Sequence, residues 1–379
     1  MHFSDQGTSL SRDLRAFLAE RVEPHVAEWE VQGGYPAREV MQSLASSVPA
    51  LNEAIRSGGT ARLEAARVLE HALAPSMALG IAASLSIQLN VVAPVLVAFG
   101  SAALRRAYLS PVLNGELLVS WSMPDQANER SLPTAALENG RLVVTGRATH
   151  VINAVGADLH AQVVRIRRPG IGTQPGLLLI PAEAQGIEVI AQRQIGYRSA
   201  PVCTVRYHGT AVSIDMLVGE HNTGAALADR QRRLFWALSA LRLAATATEM
   251  LARCKTWCEQ RKIFGAPLLN NQAVQFRLAE GVANAALTLQ LARVAVEAQA
   301  WPEGPGLLAE QAKYTANQLV ADVAEMTTHL HGAHGYIDSS YLSRFYRDAA
   351  LAMKCIGAND TVLRRVFDSE MNKNQNRHD

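Results

Sequence analysis

The chain has 379 residues, more than the roughly 250 that one hydrophobic core accommodates, so two or three domains are predicted and a lone small binding module is excluded. Apolar residues make up 49% and charged residues 18%, against a usual charged share of about 25%, which predicts large internal faces or a subunit interface and excludes a disordered chain. Net charge is +2 with the cations dispersed, so a nucleic-acid footprint is excluded.

The N-terminus, MHFSDQGTSLSRDLRAFLAE, has no basic segment leading into an apolar one and is read as no secretion signal. From Leu10 to Leu113 apolar residues recur at spacings of three and four, as in Leu14, Phe17, Leu18 and Val22, which predicts amphipathic helices over residues 1–116. Breaks are expected at Gly33-Gly34, Gly58-Gly59 and Gly115. The most apolar stretch, Leu85 to Leu104, contains Gln88, Asn90 and Pro94 and is read as too interrupted to span a membrane. A soluble, cytoplasmic protein is expected.

Over residues 117–222 the pattern changes to short strand-forming runs, such as Leu142-Val143-Val144 and Gly176-Leu177-Leu178-Leu179-Ile180, separated by Gly, Pro and Asn-Gly turns. A middle β domain is predicted. Over residues 223–379 the helical period returns in four long segments, Leu227 to Ala266, Gln272 to Ala300, Leu307 to His331 and Tyr341 to Phe367. The stretch from Phe235 to Leu251 is rich in alanine, with only Arg242 and Glu249 charged, as suits close packing in a bundle or across subunits. The predicted fold class is α+β multidomain: an N-terminal helical domain, a middle β domain and a C-terminal four-helix bundle. The cysteines, Cys203, Cys254, Cys258 and Cys355, are too sparse for a disulfide framework and fit a reducing compartment. Cys254 and Cys258 stand four apart without further ligands at matching spacing, so they are read as core residues and not as zinc ligands.

At Arg261-Lys262-Ile263-Phe264-Gly265, followed by Pro267, Leu268 and Gln272, the chain resembles an acyl-CoA dehydrogenase. Gly332-Ala333-His334-Gly335-Tyr336, then Arg344-Phe345-Tyr346-Arg347-Asp348-Ala349 and Gly357, carry the same resemblance. Phe99-Gly100-Ser101 and Asn114-Gly115-Glu116 add to it, as do Gly196-Tyr197-Arg198-Ser199 and Leu217-Val218-Gly219. The resemblance spans nearly the whole chain in order. It implies a three-part subunit holding FAD between the β domain and the C-terminal bundle, in a homodimer or homotetramer, acting on a CoA or carrier-protein thioester. It further implies that Arg261 reaches the pyrophosphate of a neighbouring subunit's FAD, as a guanidinium suits. Phe264 and Gln272 lie by the same dinucleotide, and Gly332, Gly335 and Gly357 match positions of close backbone approach.

Departures from the family pattern bear on the chemistry. The glutamate that removes the α proton of the thioester is replaced by Ile356, and the alternative position for that base is Phe235. An isoleucine cannot accept a proton, although its backbone N–H still offers a hydrogen bond to the thioester carbonyl. Ser122 keeps a hydroxyl near the flavin, Asn128 stands for a serine on the phosphopantetheine path, and Ile152 replaces a threonine that hydrogen-bonds the flavin N5. Ala358, Asp360 and His329 replace a Thr and two Gln near the adenine. His150, aligned beside the flavin ring, is a candidate acid or base, or else a packed histidine. Phe235 and Trp236 are expected to shape the substrate pocket, and Arg242 to pair with a substrate anion or with an acid across the bundle. His329, His331 and His334 have no carboxylate at matching spacing, and no metal site is assigned.

Three readings follow. One is an FAD-dependent oxidoreductase of an acyl thioester in specialised metabolism, working without the usual base. Another is a flavin-dependent oxygenase of an aromatic or tropone-like CoA thioester, motivated by Ile152 and Ile356. The third is a catalytically silent subunit of a heteromeric acyl-CoA dehydrogenase.

Overall fold

The computed structural model describes residues 3–122, 132–168, 172–219, 224–301, 304–354 and 357–375. The N-terminal domain comprises α1 (Asp5–Arg21), α2 (Val26–Gln32), α3 (Ala37–Ser47), α4 (Pro49–Ser57) and α5 (Gly59–Ala72). It continues through α6 (Leu79–Ser86), a π-helical segment (Ile87–Val92), α7 (Ala93–Phe99), α8 (Ala102–Leu104), a second π-helical segment (Arg105–Leu109) and α9 (Ser110–Leu113). The three-and-four spacing sets the buried face of α1: Leu10, Leu14, Phe17 and Leu18 all point inward. Ser4 caps that helix by accepting from the Gly7 N–H.

Within the stretch read as interrupted, Leu85 to Leu104, residues 85–99 are helical and the break falls at Gly100-Ser101. Helix runs through Leu79–Phe99, and by length and composition both this segment and Ala226–Gln260 are apolar enough to cross a membrane. In each, 89% of the apolar window is buried inside the protein, which makes them core helices. The polar residues inside the first are satisfied by the fold. Gln88 donates to the carbonyls of Val112 (3.0 Å) and Leu117 (2.7 Å) and accepts from the Val119 N–H (3.0 Å). Pro94 lies inside this run, directly after the π-helical segment Ile87–Val92, the kind of widened turn found where the helical hydrogen-bond ladder is interrupted.

The β domain contains β1 (Val119–Ser122), β2 (Thr134–Glu138), β3 (Arg141–Ile152), β4 (Leu159–Arg168), β5 (Gly172–Pro181), β6 (Ile187–Ala191), β7 (Cys203–Ser213) and β8 (Leu217–Val218). They form one sheet in the order β6-β7-β3-β1-β4-β5-β8, with β2 pairing β3 and β4. Side chains alternate between two cores with the period of two that a strand imposes. Leu159, Ala161 and Val163 of β4, with Leu177 and Leu179 of β5, join the core shared with the helices. Val164, Ile166, Leu178 and Ile180 face a separate core inside the β domain with Val144, Val205 and Tyr207. Strands buried on both faces explain the uninterrupted apolar runs.

The C-terminal domain starts with α10 (Gly224–Gln260). Helix was expected through Ala266, but the chain leaves it at Arg261 and makes the hairpin β9 (Lys262–Ile263) and β10 (Ala266–Pro267). Phe264 and Gly265 at its tip both have positive φ, 51° and 83°, the left-handed pair that a two-residue hairpin turn requires. Next come α11 (Gln272–Glu297), α12 (Leu308–Leu330), α13 (Tyr341–Ala352) and α14 (Asn359–Gln375). The single last helix expected over Tyr341 to Phe367 is therefore two, and the bundle has five helices among the described residues. Ala237, Ala240, Ala244 and Ala247 of α10 are fully buried, and their small side chains let α11 and α12 pack closely. Cys254 and Cys258 are buried, free thiols in the same seam.

The three domains meet at Asp348 of α13. Its carboxylate accepts from the Tyr197 N–H (2.7 Å) of the β domain and the Leu79 N–H (3.1 Å) of the N-terminal domain. Beside it, Glu30 accepts from the Ser199 N–H (3.0 Å) and pairs with Arg347 (3.4 Å). Burial, with Glu30 nearby, pushes the Asp348 carboxyl up to about 7, against the opposing pull of the two N–H groups and Arg344.

Candidate active site and cofactor region

The β-domain wall is built by β1 and β3. Trp121 is paired with Ile152 and Ser122 with Val151. Trp121 and Ile152 face the core shared with the helices, so the surface turned toward the helical domains carries no hydroxyl at 152. Ser122 is buried on the same strand. Pairing of β3 with β7 shifts register between Ala148 and Val151, and His150 in that bulge has φ 56°. This bulge leaves His150 exposed. Asn153, also left-handed at φ 62°, donates to the Ser84 carbonyl (3.1 Å).

The bundle wall is built by α10, α12 and the break between α13 and α14. Gly357 in that break has φ 92°, and a Cβ placed on it falls 2.5 Å from Nε1 of Trp236. Both features demand glycine. Closeness of Trp236 accounts for the missing side chain here. The Gly357 carbonyl accepts from the Asn317 amide (3.2 Å), whose own oxygen accepts from Lys313 Nζ (2.9 Å). Lys313, buried on α12, also donates to Ser239 of α10 (3.2 Å). The guanidinium groups of Arg232 and Arg365 lie 5.5 and 5.6 Å from the Trp236 ring. Phe235 is buried beside it. Ile356 and Asn128 lie outside the described residues.

Arg242 follows Phe235 by two helical turns, with its guanidinium 5.8 Å from that ring. Its Nη1 donates to Glu70 Oε2 at 2.5 Å, and both side chains are almost wholly buried. The other Glu70 oxygen accepts from Ser86 and from Asn90 (3.0 Å). Burial raises the Glu70 carboxyl, opposed by Arg242, Ser86 and Asn90. Of the two roles expected for Arg242, the acid across the interior is the one displayed, because an arginine this deep is stable only when paired.

Residues matched to the dinucleotide lie on the outer side of the bundle. Arg261 at the base of the hairpin, Phe264 at its tip and Gln272 at the start of α11 are exposed, Phe264 completely so. Gly332 (φ 58°) opens the turn after α12. Asp360, on α14, is exposed and 3.5 Å from Lys354. His329 lines a cavity of about 400 Å³ with Glu325, Thr328, Gly335, Tyr336 and Tyr346. Thr328 has a buried hydroxyl without a partner among the described residues, an open polar group that a ligand can satisfy. The three histidines do not converge. His331 is buried, stacks on Trp257 at 4.8 Å and shares Nδ1 with the Thr327 carbonyl (2.7 Å), whereas His334 is tilted by 55° to the same indole at 5.2 Å. Among the described residues no group of three metal-ligating side chains exists.

These residues fit the dinucleotide half of FAD: a cavity lined by an unsatisfied hydroxyl, and an exposed arginine on the hairpin. The ring half retains Ser122 and has lost the hydroxyl at 152. Sequence reading left the acid opposite Arg242 unnamed, and Glu70, the Lys313–Asn317 pair and the backbone partners of Asp348 escaped it. Lys313 and Asn317, four apart on an apolar helix face, and Glu70 amid Val68, Leu69 and Ala72, were the available signals.

Sequence profiles of the acyl-CoA dehydrogenase N-terminal domain and C-terminal domain match residues 4–116 and 230–370. The mitochondrial isobutyryl-CoA dehydrogenase of Bos taurus is 24% identical over 376 residues, covering 96% of this chain and 88% of its own. A putative acyl-CoA dehydrogenase structure from Mycobacterium smegmatis superimposes with a TM-score of 0.86 at 27% identity, covering 97% of this chain and 98% of that one. The prolyl acyl carrier protein oxidase AnaB shares the fold with a TM-score of 0.85 at 18% identity, covering 98% and 99%. Three domains in this order, one core running from the first into the third and profile matches at both ends make the chain a member of the acyl-CoA dehydrogenase family of FAD-dependent oxidoreductases, which act on acyl thioesters.

Proposed function

We propose that the protein oxidises an acyl thioester, on CoA or a carrier protein, at a centre that has no carboxylate where the family's base stands. The observation that carries this reading is the contact of Trp236 with Gly357. Each of the two positions expected for the base, 235 and 356, is next in sequence to one member of that contact, and they hold Phe and Ile. FAD, when bound, supplies the two-electron acceptor. The chain's own work is to bind the thioester, exclude water behind Trp121, Ile152 and Phe235, and hold the Gly357 turn through Asn317 and Lys313. Without a protein carboxylate, the substrate must have an α position more acidic than that of a simple fatty acyl group, as an acyl group from specialised metabolism can supply. The carrier-bound substrate named for AnaB supports a carrier-protein thioester as one form of it. A neighbouring copy, homodimeric or homotetrameric, receives Arg261 and Phe264, which the isolated chain leaves exposed. Buried, free Cys203, Cys254 and Cys258 accord with a reducing, cytoplasmic setting.

Purified protein is expected to be yellow, and anaerobic addition of acyl thioesters with acidified α positions is expected to bleach it. Protein that stays colourless with added FAD refutes this reading and favours a silent partner subunit. The buried apolar Ile152 on the β wall supports a second reading, oxygenation of an aromatic or tropone-like CoA thioester. Turnover under labelled dioxygen decides it, since product without label excludes the oxygenase.

A further inference from the structure

The sheet face that packs on the helical domains continues past them and becomes cationic. On β4, Leu159, Ala161 and Val163 lie in the core shared with the helices, and Arg165 and Arg167 carry the same alternation onward. At about 3.3 Å per residue they stand roughly 13 and 20 Å along the strand from Ala161, which pairs with Trp121 of the β-domain wall. Thr134 and Ala136 of β2 pair with these two arginines, and Thr134 pairs on its other side with Thr145 of β3. Arg147, two residues further along β3, therefore shares the face and stands directly opposite Arg206 of β7. Like charges in that position weaken a sheet. Of the four arginines only Arg206 has an acid, Glu188 at 3.3 Å, which also meets His208 at 3.6 Å. The side chains of Arg147, Arg165 and Arg167 make no ion pair among the described residues. Arg165 is half-buried, and its Nε is shut off from water without an acceptor among the described residues, a donor that a bound anion can satisfy. The other three arginines are exposed.

These cations spread from β4 across β2 and β3 to β7, three strand spacings or about 14 Å. Between them lie Thr134, Ala136 and Thr145, small side chains that leave the strip flat and offer no ring for an adenine to stack on. A strip this broad and flat suits the charged surface of a folded acidic partner better than a single phosphate group. A partner seated there lies against the same sheet face as Trp121 and Ile152. We propose that Arg147, Arg165, Arg167 and Arg206 dock the acidic surface of a carrier protein that presents the acyl group as a phosphopantetheine thioester. This rests on the thioester reading above and deepens it by naming the carrier-bound form as the substrate.

The test uses the FAD-loaded protein with two probes, hexanoyl-CoA and a stand-alone acidic acyl carrier protein bearing a hexanoyl-phosphopantetheine arm, with binding measured by calorimetry. Wild type is expected to bind the loaded carrier more tightly than hexanoyl-CoA at low salt and to lose much of that preference at about 0.15 M salt. Arg147→Glu with Arg167→Glu is expected to weaken carrier binding at least about tenfold, to flatten its salt dependence and to leave hexanoyl-CoA binding within about twofold. Arg165→Gln, which removes one charge and keeps a polar side chain, is expected to weaken the carrier alone and serves if the double variant does not fold. Wild type that binds neither probe overturns the thioester reading and the docking surface with it. Wild type that binds hexanoyl-CoA but not the carrier, carrier binding unchanged in the folded variants, or equal loss for both probes overturns the docking surface alone; equal loss makes the strip a site for the phosphates of CoA.

Discussion

Removing the guanidinium of Arg242 tests whether the buried ion pair with Glu70 is a structural element or a binding group. The two side chains are 2% and 0% exposed and 2.5 Å apart. Arg242→Met strips the paired cation from a carboxylate that also holds Ser86 and Asn90. Breaking one partner of such a pair costs about 3–5 kcal/mol, because the remaining charge is buried without compensation. Glu70 can escape by binding a proton. Its carboxyl is already raised by burial, and Arg242 is the strongest influence opposing that rise. The variant's carboxyl therefore titrates higher still. A carboxyl whose folded pKa lies above its unfolded one contributes stability that is present at low pH and lost as pH rises through the folded value. The deficit of Arg242→Met is expected to be largest at pH 8 and smaller at pH 5.5. Glu70→Gln added to Arg242→Met removes the stranded charge and is expected to recover about 2 kcal/mol as a double-mutant coupling. Urea unfolding followed by tryptophan fluorescence gives both quantities from the midpoint at constant slope. A cost under about 1 kcal/mol for Arg242→Met, independent of pH, refutes the structural role. Weaker binding of thioesters with a terminal carboxylate then points to substrate recognition.

Asp348→Asn places an amide N–H against one of the two backbone donors from Tyr197 and Leu79 and is expected to lower stability by about 2–3 kcal/mol in urea melts. Because burial raises the Asp348 carboxyl to about 7, its contribution is present below about pH 4 and lost as pH rises through 7; the melting temperature of the variant should be less sensitive to pH over that window. Phe264→Ala, at a fully exposed hairpin tip, is expected to change monomer stability by less than about 0.5 kcal/mol, while lowering FAD content per chain and self-association in sedimentation. Unchanged FAD content and assembly would remove the neighbour-reaching role. Ile356→Glu is expected to raise dehydrogenation of simple acyl-CoAs at least about tenfold; no gain at normal FAD content shows that the acyl pocket is remodelled beyond its base.

Much of the architecture was legible because it is written in periodicity. Three-and-four spacing in α1 and the alanine-rich face of α10 are properties of single elements, and a regular helix or strand converts spacing into a face without help from the rest of the chain. The motifs around Arg261, Gly332 and Gly357 were equally visible, since close turns and left-handed backbone restrict residue type locally. The ends of elements were less so: Arg261 to Pro267 has helical neighbours on both sides, and only the left-handed pair Phe264-Gly265 turns it into a hairpin.

The sequence by itself determined the order of the three domains and their helical or strand character. Tertiary structure alone decided how the polar residues are used. Glu70 and Arg242 are 172 positions apart, Leu79 and Asp348 are 269 apart, and Trp236 lies on α10 whereas Gly357 lies in the break between α13 and α14. A buried charge or donor takes its role from whichever partner the fold brings within about 3 Å, because in a desolvated interior the unpaired alternative is too unfavourable to persist. Spacing along the chain carries no information about that partner.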